Sequence, residues 1–145
     1  MVRSAWEETR AIAQELQAGL VLFQCPASFG PTPENRRTLG HFFETLDRHN
    51  LRLVWEPRGD WTPSEVQQLC QELDLILGLG PFTTPPGEGA WAYFRLHGRT
   101  GYRYKYTDQD LEKLLHWLEE RQRVYGFFNN QSMWTDARRF QALVR

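Results

Sequence analysis

The chain is short of cysteine, of long apolar runs and of net charge, and each shortage excludes something. Its two cysteines, Cys25 and Cys70, form no CxxC or CxxxC spacing. Two distant thiols do not make a disulfide scaffold, and they suit a reducing compartment. No apolar run approaches the ~20 residues that a membrane helix needs. The start, Met1-Val2-Arg3-Ser4-Ala5-Trp6-Glu7-Glu8, lacks the apolar core of a signal peptide. A cytoplasmic protein with no membrane partner is therefore expected. With 17 basic and 18 acidic residues the net charge is −1, which leaves no global footprint for nucleic acid. The histidines, His41, His49, His97 and His116, show no paired ligand spacing, so no metal site is expected and no cofactor is named.

Aromatic residues, by contrast, are plentiful. They make up 14% of the 145 residues and include six Trp, which excludes the disordered class. The length suffices for one domain with a real core. Helix-like and strand-like patterns then alternate from end to end without a composition shift, so residues 1–145 read as a single partial α/β domain. Residues 4–18 read as a helix with Trp6, Ala13 and Leu16 as apolar contacts. Leu20-Val21-Leu22-Phe23-Gln24 is a continuous apolar run, as in a parallel strand covered on both faces. Thr32-Pro33 starts a helix whose stripe is Leu39, Phe42, Phe43 and Leu46, closing at His49-Asn50. Strand 51–56 follows, then a capping box at Thr62-Pro63-Ser64-Glu65 with Val66, Leu69, Cys70 and Leu73 on its apolar face. A short strand at 75–79 and a proline-rich loop lead to the strand 90–96. Thr107 or Asp108 caps a helix carrying Leu111, Leu114, Leu115 and Leu118. A strand at 124–128 and a helix at about 132–143, with Met133, Ala137, Phe140 and Val144 inward, complete the chain. The predicted fold class is α/β, with parallel strands joined by right-handed crossovers.

Polar residues gather where these strands end. Side chains alternate along a strand, so Tyr93, Arg95 and His97 share one face while Phe94 and Leu96 take the other. Burying an Arg and a His there costs free energy unless they are paired or bind something. Glu56 and Arg58 repeat this arrangement after the second strand. Gln24 ends the first strand, and Asn129 and Asn130 end the fifth. The carboxyl ends of parallel strands are where α/β folds place their sites. Arg58 and Arg95 suit a carboxylate or phosphate. Glu56 is a candidate general base, and His97 a candidate proton donor or acceptor. Gln24, Asn129 and Asn130 can orient hydroxyl or carbonyl groups. These residues suggest acid–base chemistry on a small anionic or polyhydroxylated ligand. The alternative is a non-catalytic binding or interaction module. Tyr102-Arg103-Tyr104-Lys105-Tyr106 interleaves aromatics and cations, as single-strand nucleic-acid platforms do. With a neutral chain it reads better as a loop with packed tyrosines and solvated cations.

Several motifs in register carry a resemblance: Leu22-Phe23-Gln24-Cys25-Pro26, Trp55-Glu56-Pro57-Arg58 followed by Trp61, Phe94-Arg95-Leu96-His97-Gly98, Tyr104-Lys105-Tyr106 and Phe128-Asn129-Asn130. In order and spacing the chain resembles the YecE-like family, a domain of unknown function (DUF72), from about residue 16 onward. The resemblance implies a TIM-barrel-type fold and no established activity. It also implies that Gln24, Glu56, Arg58, Arg95, His97, Asn129 and Asn130 are motif positions. Two departures stand out. The family's third-strand segment often ends Asp-Pro, where this chain has Gly80-Pro81. A full barrel takes ~250 residues and eight strands, and the chain corresponds to the last five βα units. A truncated TIM-barrel-like sheet has open edges. Self-association, or a partner chain supplying the missing strands, is therefore expected.

Overall fold

A computed structural model describes residues 2–144. They pack as two compact units divided between residues 77 and 78. The first unit holds helix α1 (Val2–Glu15), strand β1 (Leu20–Gln24), helix α2 (Pro33–Thr45), strand β2 (Arg52–Glu56), helix α3 (Pro63–Glu72) and the start of strand β3 (Ile76–Leu79). The second holds the end of β3, strand β4 (Trp91–Leu96), helix α4 (Asp108–Glu119), strand β5 (Arg123–Phe128) and helix α5 (Met133–Val144). The hydrogen-bonded strand order is β1-β2-β3-β4-β5, each parallel to the next. Neighbours in space are neighbours in sequence, as in a successive run of barrel strands. The fold is the expected α/β class, a truncated barrel-type series.

In the first unit Val21, Phe23, Leu53 and Trp55 point to the helices and join Leu39, Phe43, Val66, Leu69 and Leu73 in one core. The two capped helices form where the sequence places them. Thr32 Oγ1 accepts from Asn35 N at 3.1 Å. Thr62 and Glu65 make the reciprocal capping box, and Pro occupies the first turn of both helices. In the second unit Ala92, Phe94 and Leu96 of β4 pack with Val124 and Phe128 of β5 against Leu111, Leu114 and Phe140. Thr107, not Asp108, caps α4, with Asp110 completing its capping box.

Helix ends depart most from the expected pattern. Leu16, expected as an apolar contact, lies beyond α1 and is 74% exposed. The helix ends at Glu15, and the chain turns away just after Leu16, at Gln17 in the left-handed region (φ 52°), with Ala18 N donating to Ala13 O at 2.8 Å. Helix α2 stops at Thr45 rather than His49-Asn50. Arg48 explains this early stop. Its guanidinium donates to the carbonyls of Phe43 (3.2 Å) and Leu73 (2.7 Å), so it takes over a carbonyl that another helical turn would have used. Met133 and Val144, expected to point inward, are exposed at the two ends of α5.

Candidate functional site

The first unit builds its polar cluster by alternation. Leu53 and Trp55 of β2 face the helices, so Val54 and Glu56 take the opposite face. In β1 the same alternation puts Leu22 and Gln24 opposite Val21 and Phe23. The parallel register sets Gln24 beside Glu56. Glu56 is 5% exposed. Its Oε1 lies 2.6 Å from Arg58 Nη2, whose side chain is 39% exposed. A buried carboxylate thus meets a cation that reaches solvent.

The loop behind this pair is held close. Gly59 packs on the Phe29 backbone so tightly that a Cβ would sit 2.5 Å from Phe29 O. Only glycine tolerates that approach. Trp61 Nε1 donates to Phe29 O at 2.7 Å, and its ring lies edge-on to Trp55 at 5.2 Å. Cys25 follows Gln24 and accepts a hydrogen bond from Trp55 Nε1 at 3.4 Å. Burial pushes its thiol above the ordinary value, so it is a poor nucleophile.

The second unit places Trp91, Tyr93, Arg95 and His97 on the face of β4 opposite its helix-packed residues. On β5 the same face carries Arg123, Tyr125, Phe127 and Asn129. The register pairs Arg95 with Phe127, and Asn129 N donates to Leu96 O at 2.9 Å. Rings of the two strands stack, Trp91 on Tyr125 at 6.2 Å and Tyr93 on Phe127 at 4.9 Å. Arg95 and His97 are half-buried rather than buried. Gly98 turns the chain immediately after His97. Its φ of +91° and the close approach of Gly101 O make it a position for glycine. Its amide donates to Tyr106 Oη at 2.8 Å.

Asn130 is fully buried. Its Nδ2 donates to Tyr104 O at 2.7 Å and to Asp136 Oδ2 at 2.8 Å, so it ties the loop 102–106 to α5. Asp136, also fully buried, accepts from Tyr106 N at 3.1 Å and from Arg139 Nη1 at 2.9 Å. Arg139 donates again, to Tyr106 O at 2.7 Å. Asp110, 3% exposed, accepts from Tyr104 Oη (2.6 Å), Arg99 Nη1 (2.8 Å) and Thr107 N (3.0 Å). Burial works to raise the Asp110 carboxyl, but the hydrogen bonds from Tyr104, Thr107 and Arg99 outweigh it and hold the group below its ordinary value. The Tyr106 hydroxyl is pushed up to about 12, mainly by burial. Tyr104 and Tyr106 are packed, while Tyr102, Arg103 and Lys105 are exposed.

Asp110 and Asp136 were not among the sequence candidates. Asp110 sits at the third helical position, where an acid reads as an ordinary cap. Asp136 lies in the first turn of α5 and reads as dipole compensation. Among the described residues, no group of three or more His, Cys, Asp and Glu side chains is arranged to hold a metal ion. No described helix is long and apolar enough to cross a membrane.

Parallel strands alternating with helices, with polar side chains at the strand carboxyl ends, define a protein of the barrel-type α/β class. Over residues 2–145 the sequence matches the family described as "Protein of unknown function DUF72", and the chain belongs to that family. Two solved structures share the fold. A DUF72 family protein from Thermotoga maritima is 22% identical, with a TM-score of 0.71 over 95% of this chain and 63% of its own. One from Enterococcus faecalis is 21% identical, with a TM-score of 0.70 over 93% of this chain and 62% of its own. The chain thus spans less than two thirds of the length of these relatives. No curated protein matches it.

Proposed function

We propose that the strand-end polar groups bind a small anionic or polyhydroxylated ligand and carry acid–base chemistry on it. The observation that carries this reading is the Glu56–Arg58 pair, a carboxylate 5% exposed and joined at 2.6 Å to a cation open to solvent. An arginine fork at a strand carboxyl end suits carboxylate or phosphate. In the first unit Arg58 holds an anion, Glu56 exchanges a proton and Gln24 orients a hydroxyl or carbonyl. In the second unit Arg95 is the cation, His97 the proton carrier and Asn129 the orienting amide. Asn130 acts through the turn it holds in place. The test is binding of inorganic phosphate and small hydroxy acids by calorimetry. Arg58→Ala and Arg95→Ala should each weaken binding at least ten-fold, and variants that bind like the wild type would overturn the reading.

A second reading, a binding or interaction module completed by another chain or copy, is favoured by β5. Its sequence is as apolar as that of β4, yet Arg123, Gly126 and Phe127 are exposed where β4 is largely buried. An edge strand with open backbone groups invites pairing. Gly80 points the same way, since it stands where the resemblance has an aspartate. The backbone did not force that loss: a Cβ at Gly80 would make ordinary contacts, 3.5 Å to Arg95 O and 3.8 Å to Thr83 Oγ1. Light scattering should show self-association, or the protein should bind a hydrophobic dye until a partner is added. A monomer that binds no dye rules this reading out.

A further inference from the structure

Two candidate site residues of the second unit, His97 and Asn129, each lead directly into one buried network. His97 is followed by Gly98, whose amide donates to Tyr106 Oη at 2.8 Å. Asn129 is followed by Asn130, whose Nδ2 donates to Asp136 Oδ2 at 2.8 Å. The two branches meet, because Asp136 Oδ2 also accepts from Tyr106 N at 3.1 Å. Arg139 closes the ring from α5, donating to Tyr106 O at 2.7 Å and to Asp136 Oδ1 at 2.9 Å. Between the branches Asn129 N donates to Leu96 O at 2.9 Å and ties the end of β5 to the end of β4.

This network sits where the backbone has most freedom to lose. The loop after His97 holds two glycines with positive φ, Gly98 (+91°) and Gly101 (+123°). Tyr106 is 2% exposed, and Asn130 and Asp136 are fully buried. A buried carboxylate paired with arginine is often no more stabilising than apolar packing of the same volume, so stability alone does not account for it. What such a network secures is a single geometry. The Tyr106 ring needs no hydroxyl in order to pack, since it already meets Phe82 at 5.5 Å and Phe128 at 5.6 Å. Phenylalanine would fill the same place and would lack the oxygen that receives the Gly98 amide. That amide shares a peptide plane with the His97 carbonyl, so holding it fixes the backbone on which the imidazole stands.

We propose that Tyr106 is a positioning residue for the strand-end site: its hydroxyl, anchored through Asp136, Asn130 and Arg139, holds the Gly98 amide and so fixes His97 relative to Asn129. Tyr106 acts through the backbone after His97, not by contact with the ligand. This rests on the ligand-site reading above and adds the device that keeps its proton carrier and its orienting amide in register. A ligand that meets both feels a small displacement of either as lost binding.

The test is a double-mutant cycle on inorganic phosphate binding, measured by calorimetry for the wild type, Tyr106→Phe, His97→Ala and the double variant. Tyr106→Phe should weaken binding about five-fold in the wild type and less than about two-fold in the His97→Ala background, the non-additivity of residues that act through one another. The His97 ring resonances, read by NMR without ligand, should shift in Tyr106→Phe. A role in stability alone would lower the urea midpoint, leave those resonances in place and weaken binding equally in both backgrounds. That result overturns the proposal, as does Tyr106→Phe binding like the wild type. Binding lost in Arg95→Ala but untouched in His97→Ala also overturns it and leaves the ligand-site reading standing. If the wild type binds no phosphate, the ligand-site reading falls in this unit and the His97 ring decides: a shift supports its placement by Tyr106, and an unmoved ring overturns it. If Tyr106→Phe does not fold, hydrogen exchange in the wild type decides. A Gly98 amide exchanging as fast as those of the exposed Arg99 and Thr100 overturns the proposal, and a slower one supports it.

Discussion

Asp110 is a fixed charge almost out of water, and three donors facing it keep it ionised. Its carboxyl titrates lower in the folded chain than the ordinary value of about 3.9 that an unfolded chain would show. A depressed carboxylate stabilises the fold above the unfolded value and loses that contribution as pH falls through the folded one. The Asp110→Asn variant should therefore lose stability at neutral pH. Its deficit should shrink as pH drops below about 4, measured as urea midpoints of both proteins across the acid range. A gap constant with pH would contradict the assignment. Residue by residue, alternation was enough to bring Gln24, Glu56 and Arg58 together and to set Arg95, His97 and Asn129 on one face. It could not reveal Asp110 and Asp136. An acid in a helix's first turn looks the same in sequence whether it faces solvent or a buried loop, and only the 102–106 loop folding back distinguishes the two.

Elements were legible where capping chemistry was written locally. Thr32-Pro33 and Thr62-Pro63-Ser64-Glu65 each start a helix at the expected residue, because N-cap, Pro and capping box satisfy the first amides with neighbours in sequence. Helix ends were less legible because their partners are distant. Arg48 reaches 25 residues on to Leu73 O, and no local pattern announces that bond. The α3 cap gives an element-scale prediction. Thr62→Ala removes the acceptor for Glu65 N and the hydroxyl that donates to Glu65 Oε2. It should lower stability by about 1 kcal/mol with no change in far-ultraviolet dichroism, read from a denaturant midpoint. A loss within error would show that the side chain is not the working cap.

At the scale of the whole molecule, an unbroken alternation of helix and strand conceals two separate cores, one around Trp55 and one around Phe94. Nothing in composition changes at residue 77, because β3 is too short and too uniform to mark a boundary. The truncated series was legible from motif order, and the open character of β5 followed from it. What holds the second core's loop was not. Tyr106 is gripped through both its amide and its carbonyl, by Asp136 and Arg139, directly after two exposed basic residues, Arg103 and Lys105. A protease that cuts after basic residues must draw the backbone out as an extended strand. Here the bond after Lys105 cannot be drawn out without breaking the buried carboxylate's contacts. A tryptic sequence that looks open on the surface is, in the native protein, a concealed one.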